Sequence, residues 1–314
     1  MLGSLNRATQ MRRYIIIRIL QALLTLWVMT VAVFSMARLT GSPLDVMLDE
    51  YATPEDRARF AKHIGLDKPV TVQYGVFLSN LIRGDLGESL RNHRPVVQLI
   101  QERFVASLQL GLVAFAFCIV IAIPLGIYTA VRKDGLVDNI GKAIAMLGQS
   151  LPSFWLGIML IMIFAVTLGI LPASGRGSLK SYVLPAVTLG WHAVAGLLRL
   201  TRSAMLDVLD NEYVKLARLK GLPERVVLLK HCLKNALIPV VTFLGLIFVH
   251  LLSGSIVSET VFGWPGLGSL AIESVRFRDY PVTQGVVLFF TALFLIVNLL
   301  IDIFYAYLDP RIRY

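Results

Sequence analysis

Six long apolar windows run along the chain, separated by polar stretches of very unequal size. They fall at about 14–37, 104–131, 142–168, 183–200, 236–257 and 281–307. Ile19–Ala37 alone is uncharged for 19 residues, about 28 Å as a helix, enough to cross hydrocarbon. Backbone polar groups have no water to pair with in a bilayer, so runs of this length predict helices. Pro152 near the start of the third window predicts a bend, because proline removes one backbone hydrogen bond. The fourth window is interrupted by Pro185, Gly190, His192, Gly196 and Arg199. The expectation is an all-α integral membrane protein with six transmembrane helices.

Composition supports the membrane class: 56% of positions are hydrophobic and only 16% are charged, against about a quarter in soluble domains. The formal charge of +10 points to acidic lipid rather than nucleic acid. Basic residues collect in four short segments: Arg7–Arg18, Arg132–Lys142, Arg199–Lys234 and Arg311–Arg313. By the positive-inside rule these segments, and both termini, are expected in the cytoplasm. The basic, then apolar, N-terminus resembles a signal peptide, but its apolar run is long enough to remain as an anchor. Cys118 and Cys232 show no metal-ligand or CxxC spacing and read as packing residues.

Two loops carry most of the remaining information. The stretch 38–103 holds a helix signature: Thr53 as cap, Pro54 at the first position, Glu55 and Asp56 next, and Gly65 as a stop. It reads as a small ordered extracytoplasmic subdomain. The division expected is 1–37, 38–103 and a core 104–314 with a cytoplasmic loop 201–235.

In that loop, Asp210 or Asn211 can cap a helix. Glu212 suits its first turn, Arg218 and Lys220 its last, and Gly221 a left-handed stop. Tyr213, Leu216 and Ala217 share a face at helical spacing. Such a helix can rest on lipid headgroups or dock in a partner's groove, and its own chemistry favours neither.

The loop resembles the EAA loop of ABC-importer permeases, in the variant found in the dipeptide, oligopeptide and nickel permease family. Ala217–Gly221, Lys230-His231 and Asn235–Pro239 carry the likeness, although Glu212-Tyr213-Val214 replaces the usual Glu-Ala-Ala. Gly65–Pro69, Gln73-Tyr74, Gly84–Ser89, Ser150–Trp155, Glu259–Gly268, Arg278–Pro281 and Leu308–Arg313 resemble other segments of that family, in order. The resemblance implies a type I ABC-importer permease fold and a partnership with a homologous second permease, two cytoplasmic ATPases and an extracytoplasmic binding protein. It also implies a bacterial inner-membrane location and a role in importing short peptides, glutathione or a nickel chelate.

No GxxxxGK[ST] phosphate loop occurs, so ATP and Mg are expected on partner subunits and no catalytic, cofactor or metal site is expected here. The residues expected to couple to the ATPase are Glu212, Tyr213, Leu216, Ala217, Arg218 and Gly221. Phe154, Trp155 and Glu259 are candidates for the translocation path; the plainer readings are interfacial packing for the aromatics and a helix-end pairing for Glu259. Asp302 near the end of the last window could be an ion site or a structural end. His192 and His250 lack companion ligands and read as packed. An ion-coupled transporter is the competing class, but it needs ionisable groups at mid-membrane, and only these two histidines approach that depth.

Overall fold

The computed structural model describes residues 2–39, 41–48, 52–253 and 255–308, and the described residues form helices and loops without a strand. In chain order the helices are α1 (Leu2–Leu39), α2 (Leu44–Met47), α3 (Pro54–His63), α4 (Val70–Ile82), α5 (Val96–Val131), α6 (Leu136–Ser150) and α7 (Ser153–Leu160). Then follow α8 (Val183–Leu209), α9 (Glu212–Leu219), α10 (Glu224–Val226), α11 (Leu233–Ser253), α12 (Ile256–Val261), α13 (Leu267–Arg276) and α14 (Tyr280–Leu308). Two wider π-helical stretches, Ile161–Thr167 and Val227–Cys232, continue α7 and lead into α11.

Among the described residues five helices are long and apolar enough to cross a membrane, or six when the bent pair α6–α7 counts as one. The bend there is 110°, far sharper than a proline kink within one span. Leu151 and Pro152 are both extended, so the helix stops and restarts. Several helices outrun their apolar windows. α5 begins at Val96 and α8 reaches Leu209, because hydropathy reads hydrocarbon thickness while helix length also includes the watery ends. The fifth helix begins and ends earlier than its window: α11 ends at Ser253, and Glu259 lies on the separate α12. The side chain of Asp302 and the motif beyond Leu308 lie outside the described residues.

Contacts divide the chain into two compact units, 1–105 with 269–314, and 106–268. The last helix thus groups with the first.

In the first unit α1 packs on α14. The subdomain has the expected signals: the Thr53 side chain accepts from the Asp56 N–H, and the Asp56 carboxylate accepts from the Thr53 N–H. Gly65, at φ +74°, ends α3, with the Leu66 N–H reaching back to the Ala61 carbonyl. Three consecutive residues fasten this subdomain. Arg278 pairs with Asp45 at 2.9 Å, buried Asp279 accepts from the Ser89 hydroxyl at 2.6 Å, and the Tyr280 hydroxyl donates to the Gly41 carbonyl at 2.6 Å. The Arg278–Pro281 motif is therefore a clasp between the 38–103 segment and the start of α14.

In the second unit, buried Ala106, Leu110, Ala114, Cys118 and Ala122 recur every four residues on α5. They form a ridge of mostly small side chains that lets neighbouring helices approach closely. Leu197 and Leu198 of α8 and Val240, Ile247 and Leu251 of α11 complete that core. A side-chain carbon at Gly190 would lie 3.1 Å from the Ala114 carbonyl oxygen, so a larger residue there requires α5 to give by a few tenths of an ångström.

Candidate functional site

The segment 201–235 folds as α9, a turn, α10 and a π-helical lead into α11, all within the second unit. Asn211 takes the cap position with extended backbone, but its side chain donates back to the Asp207 carbonyl instead of capping α9. Lys220, Gly221 and Leu222 close the helix: the Gly221 N–H donates to Arg218 and the Leu222 N–H to Ala217. Gly221 sits at φ +76° with open space where a side chain would point. Its requirement is conformational, not steric.

α9 has two faces with different surroundings. Val214 and Ala217 turn inward, with Ala217 only 7% exposed, and pack with Ala130, Met205, Val227 and Cys232. Leu216 and Leu219 point outward, 56% and 83% exposed. The sequence reading put Ala217 on one face with Tyr213 and Leu216. The structure separates them, because Ala217 lies three residues from Val214 and the larger residue fixes which side is buried.

Polar struts tie the segment together. Arg218 reaches across the turn to Glu224 with two hydrogen bonds, 2.8 and 3.2 Å. That bond holds the Arg218 guanidinium above its usual pKa. Lys215 pairs with Glu212 at 2.8 Å on the exposed side. Asn235, at the start of α11, donates to the Tyr213 hydroxyl at 2.8 Å. Tyr213 therefore links α9 directly to the helix that follows.

One residue of this region went unmarked in the sequence reading. Asp138 is wholly buried at the start of α6 and accepts two bonds from Arg202 of α8, 2.6 and 2.8 Å, and one from Lys142. The signal was present: Asp138 follows a basic loop, and four residues separate it from Lys142.

The other candidates lie elsewhere in the same unit. Phe154 and Trp155 open α7 and are both exposed. Glu259 is 0% exposed and faces no open space. Its carboxylate accepts from the Ser107 hydroxyl at 2.5 Å, and the same hydroxyl accepts from the Leu267 N–H. Gly266 lies so close that any side chain there would collide with the carboxylate. Trp264, fully buried, donates to the Ala106 carbonyl at 3.0 Å. The Glu259–Gly268 motif is thus a knot that fastens the loop after α12 to α5.

A membrane-spanning helical unit with this two-faced helix between two of its spans is the subunit plan of a transport permease. The chain belongs to the family described as binding-protein-dependent transport system inner membrane component, whose model matches residues 122–314, with the N-terminal model of the same family matching 11–111. It is an inner-membrane permease subunit of an ABC importer, a class that works with a partner permease, an ATPase and a binding protein.

It is similar to the glutathione transport system permease protein GsiC of Pectobacterium atrosepticum, 44% identical over 97% of this chain and all of that protein. The protein of the same name from Salmonella typhimurium is 41% identical over the same shares. Two solved structures share the fold at TM-scores of 0.52 and 0.53 and cover 68% of this chain: an amino acid ABC transporter with histidines, and inward-facing conformations of the MetNI methionine ABC transporter. They are 16% and 18% identical and cover 95% and 97% of those chains.

Proposed function

We propose that this subunit pairs with a homologous permease to form a path for glutathione and related short peptides. An extracytoplasmic binding protein delivers the solute, and two cytoplasmic ATPases, which bind ATP and Mg, drive the cycle. In this reading the chain itself is non-catalytic. Both termini and α9 lie in the cytoplasm, consistent with the basic segments there. The substrate rests on whole-length similarity to glutathione permeases.

The observation that carries the mechanism is the division of α9. Its inner face belongs to the permease core, and its outer apolar face, Leu216 and Leu219, is free for a cleft on the ATPase. Glu212, Tyr213 and Arg218 hold the helix rigid through Lys215, Asn235 and Glu224, so a push on α9 moves α11. Phe154 and Trp155 remain candidates for the path because they are exposed; Glu259 acts as an internal anchor. The test is uptake of labelled glutathione by the reconstituted complex. Uptake that needs ATP and survives collapse of ion gradients is expected. Uptake that persists without ATP and follows a proton or sodium gradient overturns the reading.

A further inference from the structure

The first unit contains a cleft of about 220 Å³ between α1, α4 and the start of α14. Arg38 lines it, near the end of the apolar stretch of α1. Two of the five guanidinium N–H groups are used: Nη1 donates to the Phe34 carbonyl at 3.1 Å and Nη2 to Gln73 at 2.6 Å. Nε is buried without a partner, and no carboxylate pairs with Arg38 among the described residues. The cation is stacked on the Phe34 ring at 3.3 Å. A guanidinium at a membrane boundary, with donors to spare and no carboxylate bonded to it, favours an anion.

Lys68, exposed, is a second cation on the cleft wall, and Asp85 is its carboxylate, already accepting from the Gly87 N–H. Apolar walls come from Phe34, Val76 and Phe77. Further apolar side chains are exposed on the same helices, Leu39 at the end of α1 and Val70 and Val72 in the first turn of α4. α4 is apolar but too short to span, as fits a helix lying at the interface. Exposed apolar surface of this kind beside a cation suits contact with lipid.

We propose that this cleft binds the headgroup of one phospholipid. Its phosphate sits by Arg38 and Lys68, and its acyl chain lies along Phe34, Val76 and Phe77. The carboxylate of Asp85 adds a preference for an ammonium-bearing headgroup, so phosphatidylethanolamine is favoured over phosphatidylglycerol. The bound lipid clamps the subdomain to α1.

The test is native mass spectrometry of the purified full complex, delipidated and then titrated with each lipid. Wild type is expected to retain one phosphatidylethanolamine per copy of this chain. Lys68→Gln should weaken retention roughly tenfold, Val76→Trp should abolish it by filling the cleft, and Asp85→Asn should erase the preference between lipids. Val76 and Lys68 are exposed, so both variants keep the fold. Equal retention in wild type, Lys68→Gln and Val76→Trp overturns the proposal. Full displacement of the lipid by millimolar inorganic phosphate overturns the lipid assignment in favour of a free anion.

Discussion

Asp138 shows how much one side chain can hold at the residue scale. Its carboxylate is wholly buried yet bonded to two cations and the Asp134 N–H. Removing the charge leaves Arg202 with a poorer partner in a low-dielectric site, a change that costs about 3 kcal/mol. Asp138→Asn is expected to lower the melting temperature of the purified complex by several degrees, read by tryptophan fluorescence. Gly221→Val forces a β-branched residue to φ +76°, which costs about 1–2 kcal/mol locally. It should abolish ATP-coupled uptake while the subunit still inserts; normal transport would remove Gly221 from the coupling proposal. Gly221 was legible from its place after Arg218 and Lys220. Asp138 was passed over because sequence shows which charges exist, not which of them meet across helices.

Asp56 supplies a pH dependence. The Thr53 hydroxyl holds its carboxyl below the usual carboxylate range. Its contribution to α3 is present above the ordinary carboxylate pKa of about 4 and fades as pH falls through the lowered value. Amide exchange across Pro54–His63 should therefore quicken below that range, and Thr53→Ala should flatten the response.

At the scale of the element, α9 separates docking from folding. Leu216→Asp with Leu219→Asp alters only the outer face. The expected result is an intact permease that no longer co-purifies with its ATPases. Val214→Asp puts a charge into the core of Val227 and Met205 and is expected to prevent assembly altogether. If the outer pair left ATPase co-purification unchanged, the proposed cleft contact would be wrong. The limits of α9 were legible because charge, cap position and glycine all mark helix ends. Its orientation was not, since Ala217 satisfies either face by size and only the surrounding core decides. The capped α3 was equally legible, whereas the break between α6 and α7 was underestimated as a bend, because proline alone does not reveal that Leu151 is extended too.

At the scale of the whole molecule, each anchor ties distant segments: Glu259 with Ser107 in one unit, Asp279 with Ser89 in the other. Ser107→Ala removes one partner from a buried carboxylate and is expected to destabilise the complex by about 1–3 kcal/mol, measured as lost thermal stability in detergent. These ties were invisible in the windows because they join residues more than 150 positions apart.

The 110° elbow has a single shared support. Follow its neighbours on α8. Asp138 meets Arg202, Gly148 lies against Ala195, and Gly157 lies against Thr188. The contacts step down α8 in one direction, over fourteen residues or about 21 Å of rise. The two halves of the broken pair therefore rest on one continuous helix, and α8 is the splint that fixes the elbow on both sides of the break.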